Sequence, residues 1–202
     1  MTVTSLKNEF FRKLIHLSSV WMVAFIHLTD TSVSIPFFAG LLVLFFAFEY
    51  IRMANKPFAI FMNRHFGFMM RGNEQTMHFE WRALTGSFYF ILSVLLSLVI
   101  FPKLVAMAGI LIMIFADTVA ALVGKSIGRH KIPKINKSIE GTVAFAIIAA
   151  LILALMPLSL SMPAIFGIAV ITSLIELVSN HVHINDNLSI TLGSGALIML
   201  LT

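Results

Sequence analysis

Seven apolar runs divide the chain, near residues 13–29, 33–51, 83–101, 103–123, 143–160, 163–180 and 188–202. The first six approach the roughly 20 residues a helix needs to cross the hydrocarbon core. The seventh is shorter and holds Gly193 and Gly195. The runs are continuous rather than alternating, which excludes barrel strands, and backbone in lipid must satisfy its own hydrogen bonds, so each run predicts a helix. The expected fold class is all-α: a polytopic integral membrane helix bundle of about seven transmembrane helices, one domain over residues 1–202. The connections "TDTSVSIP", "FPK" and "MPLSLSMP" leave no room for a domain on their side. Segment 52–82, rich in Phe, Met and basic residues, suits an amphipathic stretch in the headgroup region. The first run follows a basic tail without a small-residue cleavage site, which reads as a retained helix rather than a signal peptide.

Composition agrees. Charged residues make up 11% and hydrophobic ones 59%, against about 25% charged in a soluble domain. Of the 14 lysines and arginines, all but Lys103 fall in the tail, in 52–82 or in 125–137. Those segments share one face, which the positive-inside rule makes cytoplasmic, with the N-terminus inside and the protein in the cell membrane. The net charge of +5 then belongs to cytoplasmic loops and anionic headgroups, and no nucleic-acid partner is expected. The chain has no cysteine, which removes disulfides, thiolate metal sites and cysteine nucleophiles.

Acids inside spans are costly and face the bundle interior. Glu49, Asp117 and Glu176 lie toward the inner ends of the second, fourth and sixth runs, and Asp186 lies just before the seventh. Four carboxylates from four segments thus reach one depth, beside the basic loops. Glu49 also has a simpler reading, an i,i+3 pair with Arg52. Asp117, Ala120, Ala121 and Gly124 form a small-residue face around an acid, which admits close approach of a backbone or a ligand. Thr172, Glu176 and Ser179 make a polar stripe, as do Arg12, His16 and Ser19. His16 is a candidate catalytic group or an interhelical hydrogen-bond partner.

Carboxylates and cations together at a membrane surface suit phosphoryl transfer. Magnesium takes one or two carboxylates plus phosphate oxygens, cations clamp the phosphates, and a carboxylate receives the nucleophile's proton. The stretch "ADTVAALVGKSIGRHKIPKINKSIEGTVAF" offers the acid, three glycines and five basic residues. It is not a Walker A loop.

This stretch resembles the signature of the CTP-dependent lipid kinases, the family of dolichol kinase, phytol kinase and the yeast-type diacylglycerol kinase. That signature is a small residue and Asp, then Gly-x-x-x-Gly-[Arg/Lys], then Lys-Ser-x-Glu-Gly. It falls here on Asp117, Gly124, Gly128, Arg129, Lys137, Ser138, Glu140 and Gly141. "RKLIHL" with Arg12, Lys13 and His16, "RALTGSFYF" with Arg82 and Thr85, and "ELVSNHVHINDNLSI" with Glu176, Asp186 and Asn187 look similar too. Ala116 stands where the family commonly has glycine, and the long N-terminal extension of eukaryotic dolichol kinases is lacking.

The resemblance implies a membrane kinase moving the γ-phosphate of CTP, or another nucleoside triphosphate, to the hydroxyl of a lipid alcohol. It implies a triphosphate against the 124–141 loop with Lys125, Arg129, Lys131 and Lys137 as clamps, and Mg2+ held by Asp117 and Asp186. Asn187 is expected as an oxygen ligand or nucleotide contact, and Glu176 as the base, a role it could exchange with Asp117. Phosphatidate cytidylyltransferases, more distant relatives, offer a second enzymatic reading. A transporter keeps acids within spans too, but near the midplane and with inverted repeats, and no repeat is visible here.

Overall fold

A computed structural model of the chain describes residues 6–67, 70, 83–133, 135, 137–179 and 184–202. Their regular elements are helices: α1 Leu6–Ser18, α2 Val20–Leu28, α3 Thr31–Ala54, α4 Lys56–Phe66, α5 Gly86–Ile100 and α6 Lys103–Leu111. A π-helical segment, Ile112–Ala116, leads directly into α7, Asp117–Ser126. Then come α8 Ile139–Leu155, α9 Met162–Ser179 and α10 Asp186–Leu201.

Three continuous helices are long and apolar enough to cross a membrane: Thr31–Ala54, Lys103–Ser126 and Met162–Ser179. The apolar helices α5, α8 and α10 are shorter. The bundle carries its large apolar side chains outward, with Leu28, Leu155 and Leu200 at 82%, 76% and 79% exposed. So much exposed apolar surface marks a membrane-facing exterior. The Lys103–Ser126 helix is the central one, 72% buried against 11% for Thr31–Ala54 at the periphery. Around it α8 packs on α7 and on α9, α10 on α9, α5 and α6, and α3 on α5.

Two of the expected runs take a different form. The run at 13–29 is broken at Ser19, where the Ser18 and Ser19 hydroxyls both donate to the Ile15 carbonyl. Such back-bonding competes with the helical ladder. The run expected at 143–160 begins earlier, because Ser138 caps α8 by accepting from the Gly141 amide at 3.2 Å. It ends at Leu155, because Met156 precedes Pro157 and is extended, as a residue before proline prefers. At the far end of the bundle Lys103 donates to the His27 and Thr29 carbonyls at 3.1 and 2.8 Å, capping α2 from another element. Within the 52–82 segment, α4 turns Ile60 and Phe61 outward at 54% and 51% exposure, as an interfacial helix would.

Candidate functional site

Asp117 is the first residue after the π-helical segment, and it is 5% exposed. The extra residue per turn in a π segment leaves carbonyls displaced from their regular partners, and such segments recur at functional sites. Here the Met113 carbonyl accepts from His16 Nε2 at 3.2 Å. A carbonyl only accepts, so Nε2 carries the hydrogen in neutral His16. The same nitrogen lies 3.8 Å from Asp117 Oδ2, and the ammonium of Lys13 pairs directly with that oxygen. Lys13 is itself buried. Helix α1 is thereby fixed against α7 by a charge pair 104 positions apart in sequence.

A second tie runs beside it. Glu9 accepts from Arg12 at 2.5 Å and from Lys125 at 2.7 Å. Sequence reasoning missed Glu9. The signal was its spacing, one helical turn ahead of both Arg12 and Lys13.

Across the site, Lys137 donates to Glu176 Oε1 at 2.6 Å and also to the Glu176 backbone carbonyl. Thr172, Glu176 and Ser179 are all buried, so the polar stripe on α9 does face inward. Asp186 opens α10, and its charge is within electrostatic reach of Asp117, Glu176 and His16. Asn187 Nδ2 donates to the Gly86 carbonyl at 3.0 Å, which directs its Oδ1 away from that bond. Helices α1, α7, α9 and α10 and the loop before α8 therefore bring Lys13, His16, Asp117, Lys137, Glu176, Asp186 and Asn187 to one end of the bundle.

Glu49 and Arg52 form the i,i+3 pair that their spacing suggested, and they do more. Arg52 bonds Glu49 Oε2 through Nε at 3.0 Å and Nη2 at 2.7 Å, and Nη2 also reaches the Ala83 carbonyl at 3.0 Å. Thr85 Oγ1 donates to Glu49 Oε1 at 2.5 Å. This pair is fully buried and clamps the turn before α5, whose Gly86 then holds Asn187. Arg82 lies outside the described residues.

In the 124–141 loop Lys131 and Ser138 form an isolated bridge, beside which the Ile132 amide donates to the Lys137 carbonyl at 3.0 Å. Its glycines admit the chain itself: a Cβ on Gly128 would stand 2.4 Å from Ser138 Oγ, and one on Gly141 2.8 Å from the Ala120 carbonyl. Gly124 faces the same Ser138 hydroxyl. Close packing of α7 on α8 thus depends on these positions. Lys125 is engaged with Glu9, Lys131 with the Gly124 carbonyl at 2.8 Å, and Lys137 with Glu176.

Glu140 folds back at the polar mouth of α8 and accepts from the Arg129 and His130 amides, each at 3.0 Å, with His130 Nδ1 at 2.7 Å. Its own backbone amide, then those of His130 and Arg129, hold its carboxyl down at about 2. A carboxyl lowered on folding contributes fully above its ordinary value of 4.5 and loses that contribution as pH falls through about 2. Hydrogen exchange at Arg129 and His130, corrected for intrinsic rates, should stay protected at pH 4.5 and lose protection toward pH 2. Glu140→Gln should lower that protection at pH 4.5 and differ little from wild type near pH 2, and unchanged exchange at pH 4.5 would remove the clamp.

Among the described residues no group of three or more histidines, aspartates or glutamates is arranged to hold a metal. Asp117 and Asp186 feel one another's charge and Asn187 offers a neutral oxygen, a donor chemistry that suits a hard cation bringing its own phosphate oxygens.

Helical in its described elements, apolar on its outside and with Asp117 and Glu176 each paired to a lysine at one end, the chain is a membrane-type bundle with a buried acid–lysine centre. It belongs to the family of an uncharacterised protein of Rickettsia prowazekii, to which it is 31% identical over 191 residues, 90% of this chain and 88% of that one. An uncharacterised protein of Methanocaldococcus jannaschii is 36% identical over 106 residues, 51% of this chain and 52% of its own length. A shorter likeness, 45% identity over 47 residues, links 23% of the chain to 9% of the dolichol kinase sec59 of Schizosaccharomyces pombe. No family model matches the chain, and no solved structure does.

Proposed function

We propose that this protein is an integral membrane kinase that transfers the γ-phosphate of a nucleoside triphosphate, CTP by its resemblance to the lipid kinases, to the hydroxyl of a lipid alcohol. The observation that carries the reading is the pairing of two buried acids with two lysines, Asp117 with Lys13 and Glu176 with Lys137. The charge of Asp186 acts on both acids. The partial likeness to a dolichol kinase supports the same chemistry.

In this reading α1 with α2, α3, α5, the Lys103–Ser126 helix, α8, α9 and α10 make seven crossings, and the acid–lysine end is cytoplasmic. The triphosphate meets the lysines of the 124–141 loop and Arg129. Lys137 moves its charge from Glu176 to phosphate, which leaves Glu176 on the phosphate side. Magnesium, held by Asp186 with Asn187, would neutralise charge on the phosphate oxygens, which leaves Asp117 outside the metal's ligands. Asp117 takes the proton of the lipid hydroxyl. The alcohol oxygen then bonds to the γ-phosphorus, the bond from that phosphorus to the β-bridging oxygen breaks, and the nucleoside diphosphate leaves.

The test is radiolabel transfer by the purified full chain in lipid, with γ-labelled CTP and ATP against polyprenol, phytol-like alcohol and diacylglycerol. Label in the lipid, more from CTP than from ATP, is the expected result. Label entering lipid only from the α-phosphate, with phosphatidate as acceptor, would instead make it a cytidylyltransferase. No labelled lipid under any pairing would overturn the reading.

A further inference from the structure

We infer that the acceptor lipid lies in the cavity between α1–α2 and α3–α5, with a single apolar chain in the cavity and its hydroxyl at Asp117. This deepens the kinase reading and rests on it for the identity of the head group. The cavity encloses about 380 Å³. Its lining holds a polar group, Lys13, His16, Asp117 and Asn187, the paired Glu49 and Arg52, and an apolar wall from Ile15, Met22, Phe45, Phe48, Phe90 and Ile91. A molecule that matches this lining has one hydrogen-bonding end and a hydrocarbon body.

Three observations separate this occupant from the nucleotide. None of Lys125, Arg129, Lys131 and Lys137 lines the cavity; Arg12, Lys13 and Arg52 do, but each is already paired, with Glu9, Asp117 and Glu49 in turn, and the rest of the wall is a row of aromatic and aliphatic side chains. Glu176 and Asp186 do not line it either, so Asp117 is the carboxylate shared between the cavity and the loop side. The cavity also opens toward the membrane face: Ile15 on α1 and Phe48 on α3 are 52% and 40% exposed on the apolar exterior. Helix α1 packs on α7 while α3 packs on α5, so the space between those two pairs is a lateral entrance. Met62 and Phe66 of α4, the helix with the outward apolar face, cover its end.

The size fits one chain. Ligand pockets span about 300–1,000 Å³, and 380 Å³ is at the low end, enough for a hydroxyl head and the adjoining part of one chain. A two-chain glycerolipid would have to leave one chain outside.

The experiment is photolabelling of the full chain in phosphatidylcholine nanodiscs with a long-chain prenol that carries a diazirine near its hydroxyl end, mapped by mass spectrometry. Adducts are expected on the stretch from Ile15 to Met22 and on Phe90 or Ile91. A separate apolar groove lined by Ile171, Leu174 and Val178 is the internal control. Ser19→Trp, which narrows the cavity, should lower cavity adducts and raise the KM for the alcohol by about tenfold, with the KM for nucleotide unchanged. Leu174→Ala, in the control groove, should keep both, and Met22→Trp serves if Ser19→Trp does not fold. Adducts confined to the control groove, or labelling indifferent to both tryptophans, would overturn the inference while leaving any measured phosphate transfer intact. Cavity adducts without phosphate transfer from any nucleotide would support the lipid site and overturn the kinase reading alone.

Discussion

Asp117→Asn is expected to lower phosphate transfer by roughly 10²–10⁴-fold, the usual contribution of a positioned proton acceptor. The carboxamide keeps the shape of the side chain but neither accepts the proton nor carries charge. It also leaves Lys13 buried without its counter-ion, and an uncompensated buried charge is strongly unfavourable. The single variant should therefore melt earlier than wild type in detergent. Adding Lys13→Met removes the stranded ammonium, so the double variant should recover stability and stay inactive. That split separates chemistry from folding. Turnover near wild type in either variant would end the assignment of Asp117 to the reaction.

The second large effect belongs to Arg52. Its side chain is 0% exposed and Glu49, its partner, is 1% exposed. Removing one member of such a buried pair costs about 3–5 kcal/mol, and Arg52→Ala should show a loss of this order in thermal unfolding in detergent. The loss has two sources: buried Glu49 loses both Arg52 donors and keeps only Thr85, and the Ala83 carbonyl loses its donor. Replacing both residues together, Glu49→Leu with Arg52→Met, should recover much of the stability, because apolar replacement of a buried pair is often neutral or better. Should Arg52→Ala melt like wild type, the clamp on the turn before α5 is not structural.

Much of this architecture was legible as periodicity and depth. The apolar runs mark the helices because each helix must hide its own polar backbone, and run length is set by the bilayer rather than by tertiary detail. The acids were legible for the same reason: Asp117 and Glu176 are conspicuous in apolar surroundings whatever they touch. Their partners were not. Lys13 meets Asp117 across 104 positions and Lys137 meets Glu176 across 39, and no local pattern encodes such pairings. The glycines of the 124–141 stretch were legible as places of close approach, yet their sequence spacing does not say what approaches. The structure turns them to Ser138 and the α7 backbone. The break at Ser19 was hidden as well, since two serines in an apolar run look like tolerated polar residues until their hydroxyls are seen to share the Ile15 carbonyl.

The π-helical segment before Asp117 fixes a length as well as a set of side chains. Removing one residue anywhere in Ile112–Ala116 would let the central helix relax to ordinary α geometry, in which each residue adds a turn of about 100° and a rise of about 1.5 Å. Because the widened turn absorbs the extra residue, Lys103 and Asp117 would keep nearly their present faces. What the deletion would remove is the displaced Met113 carbonyl, which would return to the regular ladder and take from His16 its acceptor. The extra residue, more than the composition of the stretch, holds the imidazole beside Asp117.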